Sequence, residues 1–300
     1  MRRVVITGAA GRLGAEVTSR LRAAGHSVRG IDRIDRSGDP DHVVADLNDG
    51  DVIENALSAD DVLVHLASVH PFSRDPETSE EPSDSAYISL NMGGTWHLYS
   101  AAARAGVRQV VLTSSIAAAR PTRDFSERID ESTTDAPWGA YGISKWFQEG
   151  VARTFAASHG ISSLILRPPA FVDVDPLQDG YSYATGALSL DDVIDVHEKA
   201  IEAVVSRRLL SGVGEVPVYA LGNELPFGPE DSAFLDLADR LPLLEKYWPG
   251  AERWFRERGF DPRRGLNLHP QLTDIRPAVR DLGWRPQMTF ARWFREHVGS

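Results

Sequence analysis

Tyr141 and Lys145 stand four residues apart at the start of a stretch that reads as helix, and residues at that spacing share one helix face. A tyrosine hydroxyl ionises near pH 10 in water, and bringing it to neutrality takes about 4 kcal/mol of preferential phenolate stabilisation. A lysine ammonium on the same face, with an oxidised nicotinamide ring, supplies attraction of that kind and would let Tyr141 pass a proton. Thr113-Ser114-Ser115 closes an earlier apolar run, where a hydroxyl can hold a substrate oxygen beside the phenol. Far upstream, Thr7-Gly8-Ala9-Ala10-Gly11-Arg12-Leu13-Gly14 follows a short apolar run and opens a helical one. Glycines in that context allow a tight turn, close backbone approach to a pyrophosphate and close helix–strand packing, while the free N–H groups of the helix start face the anion. Asp32, some twenty residues on, ends the second apolar run where a ribose-binding carboxylate belongs. Such a carboxylate accepts from both ribose hydroxyls and repels a 2′-phosphate, which favours NAD over NADP; Arg33 and Arg36 beside it could neutralise that phosphate. Asp46 either approaches the adenine or caps the helix that follows.

These residues need elements to position them. Runs at residues 3–7, 27–31, 43–44, 62–66, 110–113 and 163–166 read as strands, β-branched and without alternation, as suits a sheet covered on both faces. Helical patterns at 15–24, 51–57, 91–105 and 141–158 lie between them, so the chain predicts a parallel, doubly wound α/β sheet. Residues 1–166 form the dinucleotide-binding part in this reading and 167–300 a smaller, mainly substrate-binding lobe, with 190–222 packing back on the first part. Residues 168–186 read as loop, 190–205 as helix, 215–221 as one more strand, 227–259 as helical and aromatic, and 274–282 as a closing helix. Two acidic loops, 71–86 and 120–139, follow strands, as solvated surface or as substrate-facing segments. Trp248, Trp254 and Phe255 are expected to be helix packing rather than a ligand platform. Trp96, Tyr99, Trp146 and Phe147, on two of the long helices, either pair with a second subunit or pack inward on the sheet.

The 300 residues carry 32 basic and 43 acidic side chains, a formal charge of −11, which argues against a nucleic-acid footprint. Cysteine is absent, so disulfides, thiolate metal sites and cysteine nucleophiles are excluded. No apolar run approaches a membrane span and the N-terminal run is too short and Gly-broken for a secretory h-region, so a cytoplasmic protein is expected. His65, His70, His197 and His269 are scattered without metal-ligand spacing, and no metal is expected.

Taken in order, TGAAGRLG, Asp32, ADL at 45–47, HLAS at 65–68, NMGGT at 91–95, LTSS at 112–115, YGISK at 141–145, LRPPA at 166–170, LDDV at 190–193 and DLGWRP at 281–286 resemble an extended short-chain dehydrogenase/reductase of the NAD-dependent epimerase/dehydratase family. The resemblance runs over nearly the whole length and implies a Rossmann-type fold. It implies Tyr141 as acid/base, Lys145 as its activator and ribose contact, and Ser115 as the substrate clamp. Cofactor contacts are implied for Gly8, Gly11, Arg12, Leu13 and Gly14, for Asp32, Arg33, Asp46 and Leu47, for Leu66, Ala67, Ser68 and Asn91, and for Pro168 with Tyr141 and Lys145. A homodimer is implied as well.

Departures from the family narrow the reaction. Ile116-Ala117 follow Ser115 where sugar-nucleotide dehydratases carry Asp-Glu, so an elimination lacks its acid and base. Residues 167–173 lack the Asn that holds a sugar nucleotide's diphosphate in the 4-epimerases, and residues 183–189 lack their Arg. Arg263, Arg264, Arg276 or Arg280 could take that Arg's part. What survives is hydride transfer at a secondary alcohol or ketone of a sugar or sugar-like small molecule. It happens once in a dehydrogenase or twice in an epimerase; a third reading is a cofactor-binding regulator that has lost turnover.

Overall fold

A computed structural model describes residues 2–36, 38–72, 81–119, 122, 124–134, 136–263 and 269–298. The acidic stretch 73–80, parts of the loop at 120–135, and Arg264 fall outside the described residues.

Seven parallel strands make the sheet: β1 (Val4–Thr7), β2 (Val28–Asp32), β3 (His42–Val44), β4 (Val62–His65), β5 (Gln109–Thr113), β6 (Ser162–Arg167) and, much later, Val218–Ala220. They lie in the order β3-β2-β1-β4-β5-β6, with Val218–Ala220 added beside β6. The strand order reverses between β1 and β4, and the crevice outside the strand ends at such a switch point is where α/β sheets bind ligands. β1, β4 and β6 are buried along their whole length, which is why their sequences show unbroken apolar runs.

Helices cover both faces. α1 (Arg12–Ala23) buries Gly14, Val17, Thr18 and Leu21, one stripe at helical spacing, and shares a core with α7 (Leu190–Val205) that also takes in Trp284. On the other face α2 (Gly50–Ala56), α4 (Thr95–Arg104) and α5 (Gly139–His159) pack around Leu98, Tyr99, Ala102, Val151 and Phe155. Gly160, at φ +67°, ends α5 in the left-handed conformation that stops a helix cleanly. Asp49, and not Asp46, caps α2, accepting from Val52 N–H at 3.3 Å; Asp46 instead closes an Asx turn onto Asn48 N–H at 2.8 Å.

The helix expected from Asn91 begins earlier, as α3 (Asp84–Ala86), and runs through a π-helical stretch, Tyr87–Gly94, before becoming α4. Residues 168–186 are not simply loop. They form β7 (Phe171–Val172) and α6 (Pro176–Tyr183), the latter capped by Asp175 with Pro176 at its first position, and β7 pairs with β8 (Leu188–Ser189). β9 is the strand Val218–Ala220, narrower than expected. Residues 227–259 break into a 3₁₀ stretch, Pro229–Phe234, then α8 (Leu241–Tyr247) and α9 (Ala251–Glu257). α10 (Arg276–Leu282) closes as expected, and a further helix, α11 (Phe290–Val298), follows it.

Phe255, Phe290, Trp293 and Phe294 stack at the centre of a third, aromatic core, with Trp248 and Trp254 packed against it, so the aromatic cluster is packing and not a ligand platform. Tyr99 is buried, its hydroxyl 3.0 Å from Ser163 Oγ, and Phe147 packs inward, so these two take the inward alternative. Trp96 (45% exposed) and Trp146 (47%) do face solvent.

Candidate active site

The glycine loop turns out of β1 into α1, and sterics show why it is glycine. Gly8 sits at φ +74°, and a Cβ there would lie 2.6 Å from the Ala67 backbone nitrogen. A Cβ on Gly14 would strike the Gly8 carbonyl. The loop is closed onto β2 by Asp32, whose carboxylate accepts from Ala10 N–H at 2.9 Å and Ile34 N–H at 3.0 Å. Arg36 lies over the loop, donating to the Ala9 carbonyl at 3.4 Å, while Arg33 is exposed. Arg12 turns aside from the cradle: its guanidinium pairs with Asp173 at 3.2 Å and lies 5.6 Å above the Phe171 ring. Leu13, at the start of α1, packs against the core. Leu47 is buried, while Asp46 faces a shallow groove it shares with Asn48 and Asp51.

Across the switch point, Leu66 and Ala67 pack on the two cores. Asn91, wholly buried in the π-helical stretch, accepts from Val69 N–H at 2.8 Å and Ser68 Oγ at 3.2 Å. It donates to the Val69 carbonyl and to Ser144 Oγ, both at 3.0 Å. One amide therefore ties the segment after β4 to α5. The groups able to hold a dinucleotide — bare backbone at Gly8 to Gly14, a carboxylate at the end of β2, a fixed turn after β4 — fit it along one edge of the sheet.

Ser115 leaves β5 and caps the short 3₁₀ turn Ile116–Ala118, accepting from Ala117 N–H at 3.2 Å. Ile116 N–H donates to the buried Pro168 carbonyl at 3.1 Å, which pins Ser115 beside the end of β6. Gly142 lets α5 press onto this turn, since a Cβ would enter the Ala117 carbonyl. Tyr141, one residue earlier, is thereby brought to Ser115. Its ring meets His70 edge-on at 5.1 Å and Tyr87 at 5.9 Å. Burial pushes the Tyr141 phenol above its ordinary pKa, and a hydrogen bond from Ser115 opposes that in part. Lys145, one turn on, donates from Nζ to the Thr113 carbonyl at 3.0 Å and lies 5.8 Å from the Tyr141 ring centroid. Burial lowers its pKa to about 7. Among the chain's own groups burial is the largest influence on the Tyr141 phenol; the expected depression also draws on the positive charge of an oxidised nicotinamide.

Beneath α5, Glu149 and Arg167 form a buried pair at 2.7 Å; Glu149 also accepts from Ser114 Oγ at 2.7 Å, and Arg167 donates to the carbonyls of Asp130 and Thr133. Every charge there is met, as burial requires. His65 and His197 are hydrogen-bonded core residues, bonded to Thr7 and Thr113 at 2.8 Å, with pKa values lowered by burial to about 3 and about 4. Among the described residues no three metal-ligating side chains converge.

Ser115 and Tyr141 open on a cavity of about 220 Å³. His70, Phe72, Ile116, Trp138 and Pro169 line it, and Thr185, His269 and Gln271 close it from the later part of the chain. In the sequence His70 and His269 read only as scattered histidines, and nothing in the spacing of Trp138, Thr185 and Gln271 announces that three separate segments converge.

The NAD dependent epimerase/dehydratase family matches residues 4–172, more than half the chain. An L-arabinose 1-dehydrogenase (NAD(P)(+)) of Haloferax volcanii is 33% identical over 190 residues, covering 60% of this chain and 71% of that protein. A uronate dehydrogenase of Pseudomonas syringae pv. tomato is 28% identical over 240 residues, covering 77% and 82%. The fold superposes on a short-chain dehydrogenase/reductase superfamily protein of Agrobacterium tumefaciens with bound NAD, at TM-score 0.69 and 20% identity, over 99% of this chain and 96% of that one. With its glycine cradle, switch-point crevice and matched span, the chain belongs to the NAD dependent epimerase/dehydratase family.

Proposed function

We propose that this enzyme is a dehydrogenase that oxidises one secondary alcohol, or reduces the matching ketone, of a free sugar or sugar-sized polyol, with NAD preferred to NADP. The observation that carries this reading is the size of the cavity onto which Ser115 and Tyr141 open. At 220 Å³ it falls below the roughly 300–1,000 Å³ of clefts that take drug-sized ligands, a scale that suits one small sugar better than a nucleoside diphosphate sugar. Names of relatives agree in kind, since L-arabinose and uronates are free sugars.

In oxidation, Ser115 Oγ donates to the carbinol oxygen and fixes it beside Tyr141. The Tyr141 phenolate takes the hydroxyl proton as the carbon–hydrogen bond gives up its electron pair. NAD supplies the hydride acceptor. Lys145 holds the Thr113 carbonyl and, when protonated, adds positive charge one helical turn from the phenol; the apolar walls exclude water. Asp32 carries the NAD preference by repelling a 2′-phosphate. A homodimer joined through the exposed face of α4 and α5 completes the proposal.

The test is a panel of L-arabinose, D-xylose, D-galactose, D-galacturonate and UDP-galactose with excess NAD. Stoichiometric NADH from a free sugar is expected. Faster turnover of UDP-galactose, inversion of a substrate without NADH, or tighter use of NADP would each overturn the corresponding part of the reading.

A further inference from the structure

Trp138, His269 and Gln271, all lining the cavity, bear a fixed relation to one another. Gln271 is buried, and all its amide positions are used. Its Oε1 accepts from Thr122 N–H at 3.3 Å and from Thr122 Oγ1 at 3.3 Å; Thr122 Oγ1 in turn accepts from Leu272 N–H at 3.2 Å. A backbone N–H can only donate, so the amide oxygen must face Thr122 and the amide nitrogen the other way. That nitrogen lies 3.1 Å from the His269 carbonyl and 3.1 Å from His269 Nδ1. One amide proton goes to the carbonyl. The other points at Nδ1, which must offer a lone pair. The Pro270 carbonyl, 3.2 Å from the same Nδ1, favours a proton there instead. It loses, because that proton would be set against a buried amide hydrogen with no other acceptor. A neutral imidazole then carries its proton on Nε2, and burial, which lowers the His269 pKa, keeps the ring neutral. Trp138 stands edge-on to this ring at 5.8 Å and backs it.

We infer that Gln271 holds His269 as the Nε2–H tautomer, and that His269 donates a hydrogen bond to a second substrate oxygen, distinct from the one that Ser115 and Tyr141 take. The inference rests on the cavity being the substrate site. It makes His269 a specificity residue for substrates carrying a hydroxyl or ring oxygen at that point. A site built to hydrogen-bond an oxygen rejects the analogue that lacks it far more strongly than an apolar wall rejects an extra one.

The experiment has two arms on the full-length protein saturated with NAD. In the first, long-range proton–nitrogen spectra of ¹⁵N-histidine-labelled protein report the His269 tautomer, the signal being assigned by its loss in His269→Gln. A protonated Nε2 and a bare Nδ1 are expected, with the two forms mixing in Gln271→Leu; a protonated Nδ1 in the wild type overturns the inference. In the second, kinetics use the best free sugar of the panel. His269→Phe, which keeps a ring against Trp138, should raise KM about tenfold, the loss of one good hydrogen bond, with kcat nearly unchanged, and His269→Gln should recover most of it. An unchanged KM in His269→Phe overturns the donor role. A panel without turnover overturns the dehydrogenase reading and the donor role that rests on it, and the spectra still decide the tautomer.

Discussion

Tyr141 and Lys145 share one low-dielectric corner, and burial moves both towards their neutral forms: the phenol upward, the ammonium down to about 7. Oxidation by a phenolate is expected to rise with pH as that base forms, which kcat/KM measured against pH checks. Tyr141→Phe keeps the ring packed on His70 and Tyr87 and removes the proton carrier. Its kcat is expected to fall about 10²–10⁴-fold, the usual worth of a positioned acid/base, with NAD affinity by fluorescence titration unchanged. Lys145 makes a stability prediction whose sign is fixed. The unfolded chain holds this proton up to an ordinary value near 10.5, the folded one only to about 7. The site's penalty is therefore full below pH 7 and fades as pH climbs towards 10.5. Lys145→Met should raise the melting temperature relative to wild type at pH 6, and by less at pH 9. At this scale the sequence was legible where chemistry needs a local pattern: the glycine loop, Asp32 and the Tyr141–Lys145 pair could be read from spacing alone. His269 and Gln271 could not, since their roles come from Thr122, a residue about 150 positions away in the chain.

α5 organises the candidate site. It carries Tyr141 and Lys145 on one face and Glu149 on the next turn, and the pair of Glu149 with Arg167 fixes the helix to the end of β6. The close approach at Gly142 sets the register between Tyr141 and Ser115. Gly142→Ala must move α5 off the Ile116–Ala118 turn, at a cost of about 1–3 kcal/mol for overpacking. A misplacement of about 1 Å lowers kcat by roughly 10²-fold, so activity should fall much further than the melting temperature; equal kcat in the two proteins would count against this role. Elements with a clean apolar period, α1, α5 and α7, were readable. α6 was not, because its buried residues, Gln178, Gly180, Tyr181, Ser182 and Tyr183, are mostly consecutive and mixed in polarity rather than an apolar stripe, although Asp175-Pro176 announced its start. α11 had a readable stripe in Phe290, Trp293 and Phe294 that was passed over. The π-helical stretch follows no local signal; it turns Asn91 inward to the Val69 backbone, a demand set by the tertiary structure.

Over the whole molecule, Trp96 and Trp146, with Ile88 (60% exposed) and Ile143 (48%), leave apolar groups in water on the helices from Tyr87 to Arg104 and on α5. Burying them between two copies is the proposed arrangement, so Trp146→Glu should convert a dimer to a monomer in light scattering at micromolar concentration. A wild-type monomer would overturn it. The parallel sheet covered on both faces was foreseeable from alternating strands and helices; what the pattern could not show is how the last part of the chain returns. Asp192, at the start of α7, accepts from Gln287 N–H at 2.6 Å and Met288 N–H at 3.0 Å, and its carbonyl accepts from the buried Trp284 indole at 3.1 Å. Trp284 plugs the core beneath β1 and β4, whose own residues are made about 220 to 280 positions earlier. On a ribosome adding about 5–20 residues each second, the cofactor-binding half waits many seconds with that core unsealed. Nascent chains of this protein should therefore depend on chaperones until residues 284–288 emerge, and become resistant to protease in one late step.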